Sequence, residues 1–278
     1  NQFLANIREV DAIIHVLRCF DDDNVIHVDG NVNPVSDKEI IDLELQLKDL
    51  ETLEKRIGAI ERKAKSGDKE SEKIYKVYTE AREHLVSGDS IRSLDIDEGL
   101  FKFLDELQLI TAKPVIYVCN VDESSVINGN EHVDNVKELV ANENAEILVL
   151  GAGIESDIAE LDDFEERKMF LEDLGLEEPG VSKLIKNAYS LLNLQTYFTA
   201  GEKEVRAWTI KKGMTAPQAA GVIHTDFEKG FIKAEVIKFS DFVEYGSESS
   251  VKEAGKLMIQ GKEYVVNDGD VMHFRFNV

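Results

Sequence analysis

The chain has 278 residues, 32 Lys and Arg against 55 Asp and Glu, and a formal net charge of −23. At 43% apolar and 31% charged, with four prolines, this is a globular composition, long enough for one large domain or two to three ordinary ones. No run approaches the ~20 apolar residues of a membrane span, and nothing in the opening residues reads as a secretory leader. Two cysteines cannot build a disulfide framework, which points to a reducing cytoplasm, and the acidity argues against wholesale wrapping of DNA or anionic membrane.

The opening run 1–8 (NQFLANIR) has apolar residues at helical spacing and reads as a helix already under way, as in a fragment or a processed product. Residues 11–18 (DAIIHVLR) form a short, nearly continuous apolar run, as expected of a strand buried on both faces. Between it and the next such run lies an insertion, 36–109. Leu43, Leu47, Leu50, Leu53, Ile57, Ile60 and Ala64 step by three or four residues and line one helix face. Ser66-Gly67-Asp68 interrupts the pattern, and Ile74, Val77, Tyr78, Ala81 and Leu85 resume it. Two amphipathic helices folded back as an antiparallel, coiled-coil-like hairpin are expected, the first capped by Ser36 or Asp37. A third helix is expected over 97–109.

Two further apolar runs, 113–119 (KPVIYVC) and 146–150 (EILVL), are separated by a helical pattern. Strand, crossover helix, strand is the signature of a parallel α/β sheet. From 193 onward the texture changes to alternating β-branched and aromatic strands at 196–199, 205–210, 231–237 and 271–276, with one clear helix at 216–224. This reads as an α+β module with an exposed sheet face. The expected organisation is therefore an α/β domain from 1–35 and 110–192, a helical insertion at 36–109, and a C-terminal module at 193–278.

In open α/β sheets ligands bind at the carboxyl ends of the strands. Here those ends are Arg18-Cys19-Phe20, Cys119 through Glu123, and Leu150 through Gly153. If the strands are parallel neighbours, the three loops converge. Asn120-Val121-Asp122-Glu123 has the form of the Asn-Lys-x-Asp base-recognition loop of GTPase-like P-loop proteins, with Val121 for the Lys and Glu123 for the Asp. In that loop the Asp accepts two hydrogen bonds from guanine; a longer carboxylate misplaces both acceptors, which points away from guanine. An ordinary polar loop is the alternative. Gly151-Ala152-Gly153 would turn backbone N–H groups toward a base. Cys19 and Cys119 read as buried, reduced thiols. The six histidines, His15, His27, His84, His132, His224 and His273, have no metal-ligand spacing, so no metal site is expected among them. No Gly-x-x-x-x-Gly-Lys-Ser/Thr is present, so the chain as given is not expected to hydrolyse a nucleotide.

The acidity is uneven. Residues 191–278 carry 11 basic and 12 acidic residues, leaving a net −22 for the first 190, yet 55–76 holds eight basic against four acidic residues. Lys63, Lys65 and Lys69 lie at the tip of the expected hairpin. Either this is a solvated helix face or it touches RNA phosphate. Arg206, Lys211, Lys212, Lys229 and Lys233, near Trp208 and Phe231, could likewise combine charge with stacking on single-stranded RNA; core aromatics are the alternative.

Segments 196–210 (TYFTAGEKEVRAWTI), 216–237 (APQAAGVIHTDFEKGFIKAEVI) and 267–278 (NDGDVMHFRFNV), with Asn120 through Glu123 and 3–20, resemble the YchF family of Obg-like ATPases over the whole length of the chain. The resemblance implies a P-loop NTPase sheet with a coiled-coil insertion, followed by a β-grasp-like TGS domain. It implies preference for ATP, with Asn120 and Val121 contacting adenine, Ala152 lining the base site, Glu123 at the loop's end and Phe20 nearby. It implies ribosome or RNA association in the cytoplasm, with no membrane partner and a monomer favoured. The family's P-loop, switches and Asp-x-x-Gly segment, which bind the phosphates and Mg2+, would lie upstream of Asn1 in about 80 to 90 residues. A non-enzymatic ribosome adaptor and a scaffold that pairs through the hairpin are the competing readings.

Overall fold

The computed structural model describes residues 2–26, 30–143, 145–201 and 204–277, so His27 lies outside the described residues. The chain divides into two compact units, Asn1–Ala188 and Tyr189–Val278.

The first unit opens with helix α1 (Gln2–Glu9) and strand β1 (Ile13–Arg18). Helices α2 (Pro34–Lys65) and α3 (Lys69–Val86) then fold back on each other about the turn at Ser66–Asp68. Asn33, not Ser36 or Asp37, caps α2: its side chain accepts from Ser36 N at 3.2 Å, and Pro34 occupies the first helical position, where a missing N–H costs nothing. Asp68 caps α3 through Ser71 N at 3.0 Å. Leu53, Ile57, Val77, Tyr78, Ala81 and Leu85 form the core of the pair with Leu104 of α4 (Glu98–Asp105). The expected stripe fails at its start, where Leu43 and Leu47 are exposed while Leu45, Gln46 and Asp49 are buried. The third helix is shorter than expected and ends at Asp105, with Gln108 in a left-handed conformation (φ 50°).

β2 (Val115–Asn120), α5 (Glu131–Leu139) and β3 (Glu146–Leu150) complete a three-stranded parallel sheet in the order β1-β2-β3. β2 is buried on both faces, as its apolar run requires. β1 is not: Ile14 is 48% and Val16 61% exposed. β1 is an edge of this sheet among the described residues, and only the face carrying Leu17 and Cys19 packs into the Val133–Val136–Val140 core. Helices α6 (Ala152–Glu160), α7 (Phe164–Asp173) and α8 (Gly180–Leu191) follow.

Two buried polar clusters tie the insertion to the sheet. Asp49, fully buried, accepts from Ile110 N at 3.0 Å, Thr111 N at 2.7 Å and Thr111 Oγ1 at 2.8 Å, with Arg8 Nη2 3.8 Å away. Burial pushes its carboxyl above the ordinary range, against the pull of these donors. In the second cluster, Lys38 Nζ bonds Asp42 at 2.5 Å and Glu143 at 2.6 Å, while Tyr117 OH donates to Glu143 at 2.6 Å and Arg92 Nη1 lies at 3.4 Å. This joins α2, the 91–93 turn, β2 and the approach to β3.

The second unit is a five-stranded sheet. β4 (Leu194–Ala200), β5 (Val205–Lys211), β6 (Phe231–Ile237), β7 (Met258–Gln260) and β8 (Val271–Phe276) run in the order β5-β4-β8-β6-β7. Helix α9 (Ala216–Ile223) is the helix expected at 216–224, and His224, with an extended backbone (φ −161°), separates it from a further short helix, α10 (Thr225–Lys229), that the sequence did not suggest. α11 (Phe239–Tyr245), α12 (Glu248–Glu253) and β7 have no counterpart in the sequence reading. Tyr197, Ile210, Ala219, Ala234, Val236 and Met272 form the core on one face.

Asp49→Ala strands two buried N–H donors and should cost about 2–5 kcal/mol in urea unfolding. Because the folded carboxyl is raised above 3.8, its contribution is complete below that value and declines as pH rises through the folded value. The penalty of Asp49→Ala should therefore be larger near about pH 4 than near pH 7; a loss below about 1 kcal/mol at both would contradict this role.

Candidate functional site at the strand ends

The parallel register aligns Arg18, Asn120 and Leu150 side by side. The ladder runs one residue further, with Cys19 N donating to Asn120 O at 2.8 Å and Val121 N to Leu150 O at 2.9 Å. The loops after all three strands therefore leave the sheet at one place.

Asn120 Oδ1 accepts from Ala152 N at 2.9 Å. Ala152 is the first residue of α6, and the first-turn N–H groups of a helix lack intrahelical acceptors, so this bond satisfies one of them. The contact corrects the expectation for Gly151-Ala152-Gly153: the segment is a helix start whose Ala152 N–H is spent on Asn120, not an open glycine loop. The donor identity of Ala152 N also settles the amide orientation, leaving Asn120 Nδ2 with no protein partner among the described residues. Gly151 is closely packed here: an added Cβ would stand 3.1 Å from Val126 Cγ2 and 3.3 Å from Val121 O and would push on both, so the second and third loops touch through it.

Val121 is 4% exposed and its side chain packs with Val133, Val136 and Val140. Its side chain sits in that core and holds the loop down. Asp122 Oδ1 accepts from Ser124 Oγ at 2.7 Å and Ser125 N at 3.0 Å, capping a short turn over Glu123–Ser125. The Ser124 and Ser125 hydroxyls, with the backbone donors, hold its carboxyl below the usual range. Glu123 is exposed on the same turn.

Phe20 is half-buried, with the Arg18 guanidinium carbon 4.8 Å from its ring centroid. Asn130 Nδ2 donates to Cys19 O at 2.7 Å, and His132 Nε2 lies 3.3 Å from Asp21. Neither Arg18 nor Asn130 was legible as a site residue. The available signal was Gly129-Asn130 ahead of an acidic first turn, an N-cap pattern that identifies the helix start but not the distant partner. Cys19 and Cys119 are free and fully buried; their mutual hydrogen bond, with burial, raises the Cys19 thiol. They are structural.

The set at the strand ends, an unpaired amide donor and an aromatic ring, suits a purine, which offers an N7 acceptor and a flat face. Among the described residues no group of three His, Cys, Asp or Glu side chains is placed to hold a metal ion.

The basic positions fall into separate places. All eight basic residues from Lys55 to Lys76 are exposed, with Lys63, Lys65 and Lys69 flanking the 66–68 turn; Lys65 bonds Glu61 at 2.6 Å. Arg56 and Lys63 line a groove of about 600 Å3 between α2 and α3. In the second unit Arg206 covers Trp208 at 4.0 Å, on the sheet face that also buries Ile210, whereas Lys233 pairs across from Arg275 on the other face. Lys211 ends β5, Lys212 lies in the turn after it, and Lys229 ends α10. Phe231 is 4% exposed in the core and is not available for stacking.

Comparison with known proteins gives consistent neighbours. The YchF-GTPase_C family model, described as "Protein of unknown function (DUF933)", matches residues 194–277. The chain is 52% identical over 280 residues to the ribosome-binding ATPase YchF of Bacillus subtilis (strain 168), covering 100% of this chain and 76% of that protein. It is 52% identical over 278 residues to the protein of the same name from Escherichia coli O157:H7, with the same coverage. The structure of the Schizosaccharomyces pombe YchF GTPase superposes with a TM-score of 0.84 at 35% identity, covering 99% of this chain and 75% of that one. A GTP-binding protein from Pyrococcus horikoshii OT3, at 16% identity and a TM-score of 0.57, shares the fold alone, covering 99% of this chain and 81% of that one.

Asn120→Ala removes the Ala152 cap and should cost about 1 kcal/mol of stability in thermal unfolding, while Asn120→Asp keeps the acceptor and should leave the midpoint near wild type. Equal losses in the two variants would show that the bond does not hold the loop.

Proposed function

This chain belongs to the YchF family, and on that footing we propose that it is an ATP-binding, ATP-hydrolysing Obg-like P-loop protein that works with the ribosome in the cytoplasm. The relatives at 52% identity are named ribosome-binding ATPases. The observation that carries the nucleotide reading is the Asn120–Ala152 bond, which leaves the Asn120 amide donors for a ring nitrogen at the end of the sheet. In this reading Asn120 meets the base, the Val121 and Ala152 backbone form its floor, Phe20 offers a ring face, and Glu123 stands where a guanine-reading Asp would be. The nucleotide-binding domain comprises 1–35 and 110–192, the coiled-coil insertion 36–109 and the TGS domain 193–278. ATP and Mg2+ are the ligands of the whole enzyme. The chain as given, with no Gly-x-x-x-x-Gly-Lys-Ser/Thr, is expected to be inactive in hydrolysis by itself.

Purine selectivity tests this. Calorimetry on the full-length protein should give ATP at least about tenfold tighter binding than GTP, because a misplaced carboxylate cannot pair guanine's two donors. Equal affinities would defeat the assignment.

A second reading is favoured by the eight exposed basic residues at the hairpin tip: a non-enzymatic ribosome or RNA adaptor that uses this tip together with Arg206, Lys211, Lys212, Lys229 and Lys233. Reversal of charge at Lys63, Lys65 and Lys69 should weaken ribosome co-sedimentation about tenfold or more and flatten its salt dependence. Unchanged sedimentation would remove the tip from the contact surface.

A further inference from the structure

Two side chains outside the Asn120–Glu123 loop fix the backbone that carries Phe20. On one side, Asn130 Nδ2 donates to Cys19 O at 2.7 Å, the carbonyl immediately before Phe20. On the other, Arg18 Nε donates to Phe20 O at 3.1 Å, while its two terminal nitrogens reach Val25 O at 2.9 Å and Asp22 O at 3.3 Å. Arg18 also lies against the Phe20 ring, so one ring face is already occupied.

Asn130 is itself held. Its Oδ1 accepts from Val133 N at 3.1 Å as the N-cap of α5, and its Nδ2 lies 3.4 Å from Ser125 Oγ on the turn that follows Asn120. One amide thus joins the loop after β1, the loop after β2 and the start of α5. A hydrogen bond weakens steeply beyond a few tenths of an ångström from its preferred length, so Cys19 O cannot drift from α5 while this contact lasts.

The geometry points to Asn130 as a positioning residue for base recognition, setting the separation between the Phe20 ring and the Asn120 amide without touching the nucleotide. The inference rests on the base-site reading proposed above. A purine in that site needs a ring face and an amide donor at once. Because Arg18 occupies one face of Phe20, the base has only the other. A displacement of about 1 Å in the loop after β1 would forfeit one of the two contacts. Phosphate binding does not pass through these groups, so only the base-dependent part of the affinity should respond.

Two substitutions separate positioning from helix capping. Asn130→Asp retains an acceptor for Val133 N, since Asp caps helices as well as Asn, but has no donor for Cys19 O. Asn130→Ala loses both bonds. Titration calorimetry of the full-length protein with ATP, GTP and inorganic tripolyphosphate, together with thermal midpoints, reads the difference. Asn130→Asp should keep its midpoint within about 2 °C and its tripolyphosphate affinity unchanged. Its ATP affinity should fall about five- to tenfold, and its ATP-over-GTP preference should shrink. Asn130→Ala should show the same selective loss together with a lower midpoint. The inference is overturned if Asn130→Asp binds ATP with wild-type affinity and preference, or if ATP and tripolyphosphate weaken equally. Wild-type protein that binds ATP no better than tripolyphosphate would instead defeat the base-site reading, and the inference with it, before any variant is compared.

Discussion

The in-register parallel pairing of Arg18, Asn120 and Leu150 is the constraint on which the rest of the first unit depends. It brings three loops to one end of the sheet, although the first strand end lies 102 residues before the second and the second 30 before the third. Continuation of the ladder through Cys19 and Val121 holds their first residues level. The side-chain contacts at the site, Asn120 to Ala152 and Asn130 to Cys19, are each possible only because the strands end together. A slip of one residue in β2 would turn Asn120 to the opposite face and direct Cys119 out of the core.

A sheet of three strands, with β1 and β3 both at its edges among the described residues, needs support, and the buried polar clusters supply it. Asp49 reaches from the middle of α2 to the backbone ahead of β2, and Lys38 with Glu143, Tyr117 and Arg92 does the same nearer the start of α2. Such groups are costly to bury unless every donor and acceptor is matched, and here the matching partners lie on different elements. The insertion is therefore fastened to the sheet at two points, while the lysines of the hairpin tip stay exposed.

Legibility followed the range of the interactions. β2 and β3 could be read because a strand buried on both faces must be continuously apolar, and the Ser66–Asp68 turn because it breaks a helical period. Exposure of Ile14 and Val16 could not be read, since the same apolar run serves a covered or an uncovered strand. The cap of α2 was misplaced because Pro34 sets the helix start two residues before the first candidate cap. At the site, Asn120 was legible as part of a motif. The inward turn of Val121 was not, because it depends on α5 packing beneath the loop. The reach of Asn130 to Cys19 spans 111 residues and has no local signature.

The central claim is that the Asn120 amide reads a purine at the end of the parallel sheet. Side-chain amide NMR of the full-length protein, titrated with adenosine and then with guanosine, tests it most directly. Adenosine should shift the Asn120 Nδ2 resonances saturably and more strongly than guanosine, with smaller shifts at Ala152 N–H. An Asn120 resonance that does not move while ATP still binds would place the base elsewhere and contradict the account.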